Sequence, residues 1–137
     1  MVEKSYYASR ELNVFWFEAF EICKTFGMDL VELPFAAEAQ NFLTLCGQQQ
    51  IHFKETGFHV GASYLGSAPF DWYWMTTGER VNYGLRYAPG EPNNRNGIEK
   101  FLSLIKKSGG FMFNDIDYNY TKYNFVCQLI TNSTNLS

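Results

Sequence analysis

The chain has no apolar run near the roughly 20 residues that a membrane-crossing helix needs, so no span is expected and the protein should be soluble. Its eleven lysines and arginines are scattered under a net charge of −3, which leaves no basic face for a nucleic acid. Neither a glycine-rich phosphate loop nor a Cys-x-x-Cys pair occurs, and His52 and His59 have no nucleophile pattern beside them. Phosphoryl transfer, dithiol redox chemistry and nucleophilic catalysis therefore have no visible machinery, and no enzyme is expected. Met1-Val2-Glu3-Lys4 leads straight into a strand-like Ser5-Tyr6-Tyr7 without the apolar stretch of a secretory signal, which reads as a mature fragment behind an added start. Cysteine is scarce as well, and three in 137 residues are compatible with either redox compartment.

Apolar and aromatic material is plentiful, at 46% and 18% of the residues, enough for one domain with a core of its own. Asn13 is a good helix N-cap, and Trp16, Ala19, Phe20 and Cys23 then fall at i, i+3, i+4 and i+7 on one buried face, with Gly27 as the stop. A second helix is predicted from Phe35 to Cys46, with Ala39, Phe42, Leu43 and Cys46 on its inner face and Gly47 ending it. From His52 the helical period disappears. Phe58 to Ala62 and Trp72 to Met75 read as strands, the latter closed by the turn Thr76-Thr77-Gly78. Trp72 and Trp74 should face the same way, with core packing the better reading of Trp74. Val81 to Asn96, rich in Gly, Pro and Asn, reads as a long irregular loop, the kind that inside a compact domain usually carries function. Phe101 to Ile105 and Phe111 to Asn114 read as a hairpin about a basic Lys106 to Gly110 turn. Tyr123 to Leu129 closes the sheet. The domain is thus placed at 6–129, with 1–5 as an extension and 130–137 as a flexible tail.

One stretch does not suit a core: Gly90-Glu91-Pro92-Asn93-Asn94, followed by Glu99 and by Asn114-Asp115. Its side-chain oxygens are those a hard cation such as calcium takes, about six to eight of them. An X-Pro bond is the one place where a cis peptide is cheap, and a cis bond before Pro92 would turn Glu91 and Asn93 to one side. If Glu91, Glu99 and Asp115 converge, like charges raise one another's pKa unless a divalent ion lies among them. Any one of these residues alone would read as a solvated loop or turn residue. Glu91 and Glu99 as a glycosidase pair is the enzymatic alternative, but shared ligation of an ion would leave no general acid.

Taken together and in order, these residues resemble a C-type lectin domain. The family pattern is a Glu-Pro-Asn tripeptide, a glutamate a few residues on, and a later Trp-Asn-Asp, here Glu91-Pro92-Asn93, Glu99 and Phe113-Asn114-Asp115. The likeness extends to Trp16, Ala19 and Cys23, to Gly27 and Leu30, to His59-Val60-Gly61-Ala62, to Trp74 with Gly78, and to Phe125-Val126-Cys127. It runs from Tyr6 to Gln128.

The resemblance implies an α+β C-type lectin-like fold, two helices flanking small antiparallel sheets with a long calcium-binding loop. It implies Ca2+ held by Glu91, Asn93, Glu99, Asn114 and Asp115, the same five residues contacting sugar. Glu-Pro-Asn implies glycans with equatorial 3- and 4-hydroxyls, such as mannose, N-acetylglucosamine and glucose, with fucose accommodated through a similar diol. The setting implied is extracellular, secreted or as an ectodomain, in glycan recognition of the kind used in innate immunity or adhesion, with oligomers supplying avidity. The alternative is the same fold binding a protein partner, with calcium structural or absent. An outer disulfide Cys23–Cys127 is implied, leaving Cys46 over, with burial on the second helix expected for it. The inner pair is missing, its positions being Phe101 and Tyr118, which suggests an aromatic contact in place of the bridge. Lys100 stands where relatives carry an acidic ligand for an auxiliary calcium, and Tyr87 and Phe113 replace usual tryptophans. Sequons at Asn119, Asn132 and Asn135 are expected sites of N-glycosylation.

Overall fold

The computed structural model describes residues 2–9, 12–47, 57–107, 110–117, 119 and 121–132. In chain order these form β1 (Val2–Ala8), α1 (Trp16–Thr25), β2 (Asp29–Leu30), α2 (Ala36–Gly47), β3 (Gly57–Ser63), β4 (Tyr73–Trp74), β5 (Phe101–Lys107), β6 (Gly110–Ile116) and β7 (Asn124–Asn132). The strands pair in the order β1-β7-β3-β5-β6, with β2 on β7 and β4 on β3. All pairings are antiparallel except β3 with β7. The architecture is α+β, two helices packed on a mixed sheet.

Side chains alternate across a strand, and the core divides accordingly. Phe58, Val60, Leu102, Leu104 and Val126 join Phe42 and Cys46 of α2, whereas Phe101, Phe125 and Cys127 join Trp16, Ala19 and Cys23 of α1. The helices thus cover opposite faces. Trp72 and Trp74 both enter the α2 side, as their spacing predicts. Trp16 is fully buried and its indole N–H donates to the Val60 carbonyl at 2.8 Å, beside the register shift between Val60 and Ser63 where β3 bulges against β5. Gly61 sits in that bulge, and a Cβ there would lie 2.9 Å from the Leu30 carbonyl oxygen. Only glycine lets β2 and β3 approach so closely. The Cys23–Cys127 disulfide forms, tying α1 to β7 across 104 residues.

Helix α1 begins later than Asn13 predicts. Its N-cap is Phe15, whose backbone N–H donates to the Glu18 carboxylate at 2.9 Å; the glutamate at the third helical position reaches back to the N-cap amide, the glutamate half of a capping box. The C-terminus follows expectation: Gly27 has φ +73°, and Gly27 and Met28 donate to the Lys24 and Cys23 carbonyls at 3.0 and 2.8 Å, a Schellman motif.

The ends of the chain correct the sequence reading. Residues 2–5 and 130–132, expected outside the domain, are strand, paired Val2↔Asn132 through Ser5↔Leu129. Each segment alone is too polar to announce a strand, and what makes them strands is a partner more than a hundred residues away. Lys4 strengthens the join with an ion pair to Glu38 of α2 at 3.0 Å. His52, Tyr118, Asn135, the middle of the Lys106 to Gly110 turn and the tail beyond Asn132 lie outside the described residues.

Candidate functional site

The hairpin register sets the first part of the site. Leu102 pairs with Asp115 and Phe101 with Ile116, so Glu99, just before β5, comes alongside the end of β6. The long loop is then hung on β6: Phe113 N–H donates to Arg86 O at 2.8 Å, and Ala88 N–H donates to Phe113 O at 2.9 Å. Glu91 N–H donates to Ala88 O at 3.0 Å, a turn with Gly90 at φ +81°. The Glu91–Pro92 bond is cis.

Beyond that bond the loop is organised by acid oxygens. Asp115, fully buried, accepts the backbone N–H groups of Asn93 at 3.2 Å and Asn94 at 2.5 Å. The Glu99 carboxylate accepts the Arg95 N–H at 2.9 Å, and Asn94 Oδ1 accepts the Glu99 N–H at 3.1 Å. Asn93 Oδ1 accepts the Arg95 N–H at 3.2 Å. Asn94 and Asn96 hold φ of +44° and +58°, a left-handed conformation that asparagine tolerates better than most residues.

Glu91, Asn93, Glu99 and Asp115 are therefore neighbours in the structure. The Glu91 carboxyl is pushed up to about 7, first by burial, then by its hydrogen bond to Asp115 and the charges of Asp115 and Glu99, with Lys107 opposing. Glu99 is raised too, by burial first, with Asp115 and Asp117 adding to it while the Arg95 N–H and charge pull the other way. Asn114 is adjacent on β6, its carbonyl accepting the Ser103 hydroxyl at 3.0 Å. No hydrogen bond among the described residues joins its side chain to the other four. Two buried oxygens here, Glu91 Oε1 and Asn114 Oδ1, have no partner.

Among the described residues, no three His, Cys, Asp or Glu side chains form a cluster able to hold a metal by themselves. An ion here would have to draw on amide oxygens as well, and that is the mixed donor set calcium accepts. The two orphaned oxygens, one carboxylate and one amide, fit such a group.

Two participants escaped the sequence reading. The Tyr64 hydroxyl donates to the Glu99 carbonyl at 2.8 Å, and its own N–H donates to Lys100 O at 3.1 Å. Asp117 is buried and accepts the Thr121 hydroxyl at 2.9 Å and the backbone N–H groups of Asn119 and Thr121. Asp117 lies two residues after Asp115, the period-two spacing that was the available signal; Tyr64 gave none. Phe101 is buried against Trp16, with ring centroids 4.4 Å apart, so an aromatic does fill that position, while its expected partner Tyr118 is not described. Phe113 is core. Cys46 is buried as expected, its thiol pushed up to about 12 by burial. Asn119 is exposed.

The fold is that of C-type lectin domains. The C-type lectin domain of murine dendritic cell inhibitory receptor 2, solved in complex with N-glycan, is 25% identical and aligns over 93% of this chain and 91% of that one at a TM-score of 0.72. The C-type lectin CEL-I from Cucumaria echinata gives 22% identity, 93% and 90% coverage and a TM-score of 0.74. The cow C-type carbohydrate-recognition domain of CD23, solved in the presence of a GlcNAc2Man3 oligosaccharide, gives 24%, 94% and 89%, and 0.73. These neighbours are lectin domains, not enzymes. No protein-family sequence model and no curated protein matches the chain by sequence. Among the described residues no helix is long and apolar enough to cross a membrane.

Proposed function

We propose that the chain is a calcium-dependent, glycan-binding domain that reads mannose-type terminal sugars through Glu91, Asn93, Glu99, Asn114 and Asp115. The observation that carries this reading is the pair of buried, unpartnered oxygens, Glu91 Oε1 and Asn114 Oδ1, beside the Glu91 and Glu99 carboxyls, which are raised first by burial and then by the charge of Asp115. A buried polar atom without a partner costs about 1–3 kcal/mol, and a cation supplies that partner. When bound, calcium would offer coordination positions to two neighbouring sugar hydroxyls.

The chain's own residues do the rest. Asp115 keeps Asn93 and Asn94 in place by accepting their N–H groups, and Glu99 does the same for Arg95. Glu91 has only acceptors to give and the Asn93 amide has donors, so the two present a hydroxyl pair with opposite demands. That polarity is what would select equatorial 3- and 4-hydroxyls. The murine receptor domain and CD23, solved with an N-glycan and with GlcNAc2Man3, support the ligand class. An extracellular setting fits the disulfide. Single shallow sites gain avidity when linked, so an oligomer in the whole protein is part of the proposal.

The test is the exchange Glu91→Gln with Asn93→Asp, which keeps charge and oxygen count. Calcium binding should persist, while methyl α-mannoside affinity falls by on the order of 1–3 kcal/mol from mispaired donors and acceptors. Wild-type titrations run with calcium and with chelator anchor the comparison. Mannoside binding that ignores both chelator and exchange would place the sugar elsewhere, and no mannoside binding by the wild type in calcium would turn the reading to a protein-binding domain.

A further inference from the structure

A cavity of about 630 Å³ is lined by β1, β7, α2 and the connection before α2, and none of its lining residues belongs to the loop from Val81 to Lys100 or to β6. That is within the range of small-molecule sites, roughly 300–1,000 Å³. Its apolar walls are open: Phe35 is 64% and Ile130 48% exposed, and Tyr6 and Leu45 are half-buried. An edge contact with Phe42, ring centroids 4.9 Å apart, fixes the Tyr6 ring. Contiguous apolar surface left open on a folded domain marks a place of contact.

The polar groups lining this cavity are unevenly satisfied. Lys4 Nζ donates to the Glu32 carbonyl at 2.6 Å and pairs with Glu38 Oε2 at 3.0 Å. The other oxygen of that carboxylate, Glu38 Oε1, is buried without a partner. Glu32 is 3% exposed, and its carboxylate accepts the Thr76 N–H at 2.7 Å. Two acids thus share one ammonium. Burial raises the Glu32 carboxyl against the opposing pull of the Thr76 hydrogen bonds and the Lys4 charge, so the cavity is short of positive charge. Gln128 is 2% exposed, and its Oε1 accepts the Glu32 N–H at 2.9 Å. The amide NH2 of that buried side chain has no acceptor among the described residues. An unused acceptor and an unused donor therefore line one apolar cavity.

We propose that this cavity binds a small organic amine with an apolar body, its ammonium received by Glu38 beside Glu32, and an oxygen next to the amine accepting from Gln128. The terminal torsion of a glutamate is soft, so a small turn presents Glu38 Oε1 to the ligand. The apolar body lies against Phe35, Leu45 and Ile130, and the rings of Tyr6 and Phe35 add the attraction of an aromatic face for a cation. An anionic ligand would meet both acids, and a purely apolar one would leave Gln128 and Glu38 as they are. The site draws on neither calcium nor sugar, so it stands apart from the function proposed above.

The experiment titrates three probes of one shape into the full chain and follows amide NMR shifts: L-phenylalaninol, 3-phenyl-1-propanol and 3-phenylpropanoate, each with calcium and with chelator. The wild type should bind the amine about tenfold more tightly than the alcohol, the margin of one charge-assisted hydrogen bond, and the carboxylate most weakly. Shifts should centre on Lys4, Glu38 and Gln128 and be the same with chelator. Glu38→Gln should bring the amine down to the level of the alcohol. Lys4→Met should raise amine affinity a few-fold, because Glu38 loses its own partner. Equal wild-type affinity for amine and alcohol overturns the assignment whatever the variants do, as does tighter binding of the carboxylate. Absence of any shift at about 10 mM amine, an affinity too weak for a built site, overturns it as well. Shifts confined to Asn93–Glu99 that vanish with chelator would place the amine in the other site. An affinity that falls equally in Lys4→Met and Glu38→Gln would reduce both residues to a brace between β1 and α2, and the site would fall with them.

Discussion

Strand β3 and the loop from Val81 to Lys100 both carry polar groups out of water, and they satisfy them by opposite means. In β3 every residue is buried, and its polar side chains borrow partners from elements already fixed by apolar packing. His59 meets the Val14 carbonyl at 2.7 Å and Ser63 donates to Met75 Sδ at 3.0 Å. In the loop the polar groups are themselves the framework, since Asp115 and Glu99 gather three consecutive backbone amides. Order in the strand depends on shape, and order in the loop depends on charge. A perturbation of volume should therefore damage the first, and a change of acid or ion the second.

The largest effect is expected from Trp16→Ala. The ring is fully buried between α1 and the sheet, and its N–H is the partner of the Val60 carbonyl. Loss of a buried tryptophan typically costs about 3–5 kcal/mol, read as a lower urea midpoint. Calcium should still shift the melting curve of whatever fraction stays folded. A change under about 1 kcal/mol would mean that shape does not dominate this face.

His59 gives the next effect, through pH. Burial holds its pKa down to about 4 from an ordinary 6.5, with the Val14 carbonyl and the charges of Asp117 and Glu18 partly opposing. Between those values the unfolded chain takes a proton that the native imidazole refuses. This contribution is complete above pH 6.5 and is lost as pH falls toward 4, in total on the order of 3 kcal/mol. Glu32 and Glu91, whose carboxyls are raised by burial first, act with the opposite sign. The informative measurement is thus a difference, the acid limb of the wild type minus that of His59→Gln. Parallel limbs over this window would show that His59 titrates normally.

The same contrast explains what could be read from the amino acids alone. The buried faces of both helices follow from a 3.6-residue spacing, and Trp72 with Trp74 from a spacing of two. The acid and amide residues of the loop could be named because their chemistry excludes a core. Their arrangement could not, because Asp115 works through the backbone of Asn93 and Asn94, and a backbone N–H carries no sequence signature. Pairing of β1 with β7 was hidden for another reason: register between segments so far apart is a tertiary fact. Capping by Glu18 escaped notice because Asn13 offered the commoner signal two residues earlier.

Asp115→Ala tests the charge-ordered side of the contrast. Two amides lose their acceptor, at about 1–3 kcal/mol if they stay buried, and the proposed ion loses a ligand. Saturating calcium, at about a hundred times its dissociation constant, should stabilise the wild type by about 2.7 kcal/mol and the variant not at all. Amide exchange at Asn93 to Arg95 should rise while β3 stays protected. Faster exchange in β3 as well would show that the two regions are not separately ordered.

Tyr64 joins the two regions, and its substitution sharpens the contrast at the smallest scale. The ring follows β3 directly and is 4% exposed, packed on Phe70 and Trp72 by apolar contact. Its hydroxyl reaches into the loop and donates to the Glu99 carbonyl at 2.8 Å, and burial pushes the phenol up to about 12, so it remains a donor at neutral pH. Tyr64→Phe removes that one bond and keeps the ring. The expected loss of stability is about 0.5–1.5 kcal/mol, smaller than for Trp16→Ala, His59→Gln or Asp115→Ala. Its distribution is the more telling result. If the strand side holds the ring and the loop side feels only the hydroxyl, exchange protection should fall at Glu99 and Lys100 and stay unchanged through β3. Calcium affinity should weaken a few-fold, since the backbone that carries Glu99 becomes looser. A loss of protection confined to β3 would reverse the assignment, making the hydroxyl a brace of the core with no part in placing the acid.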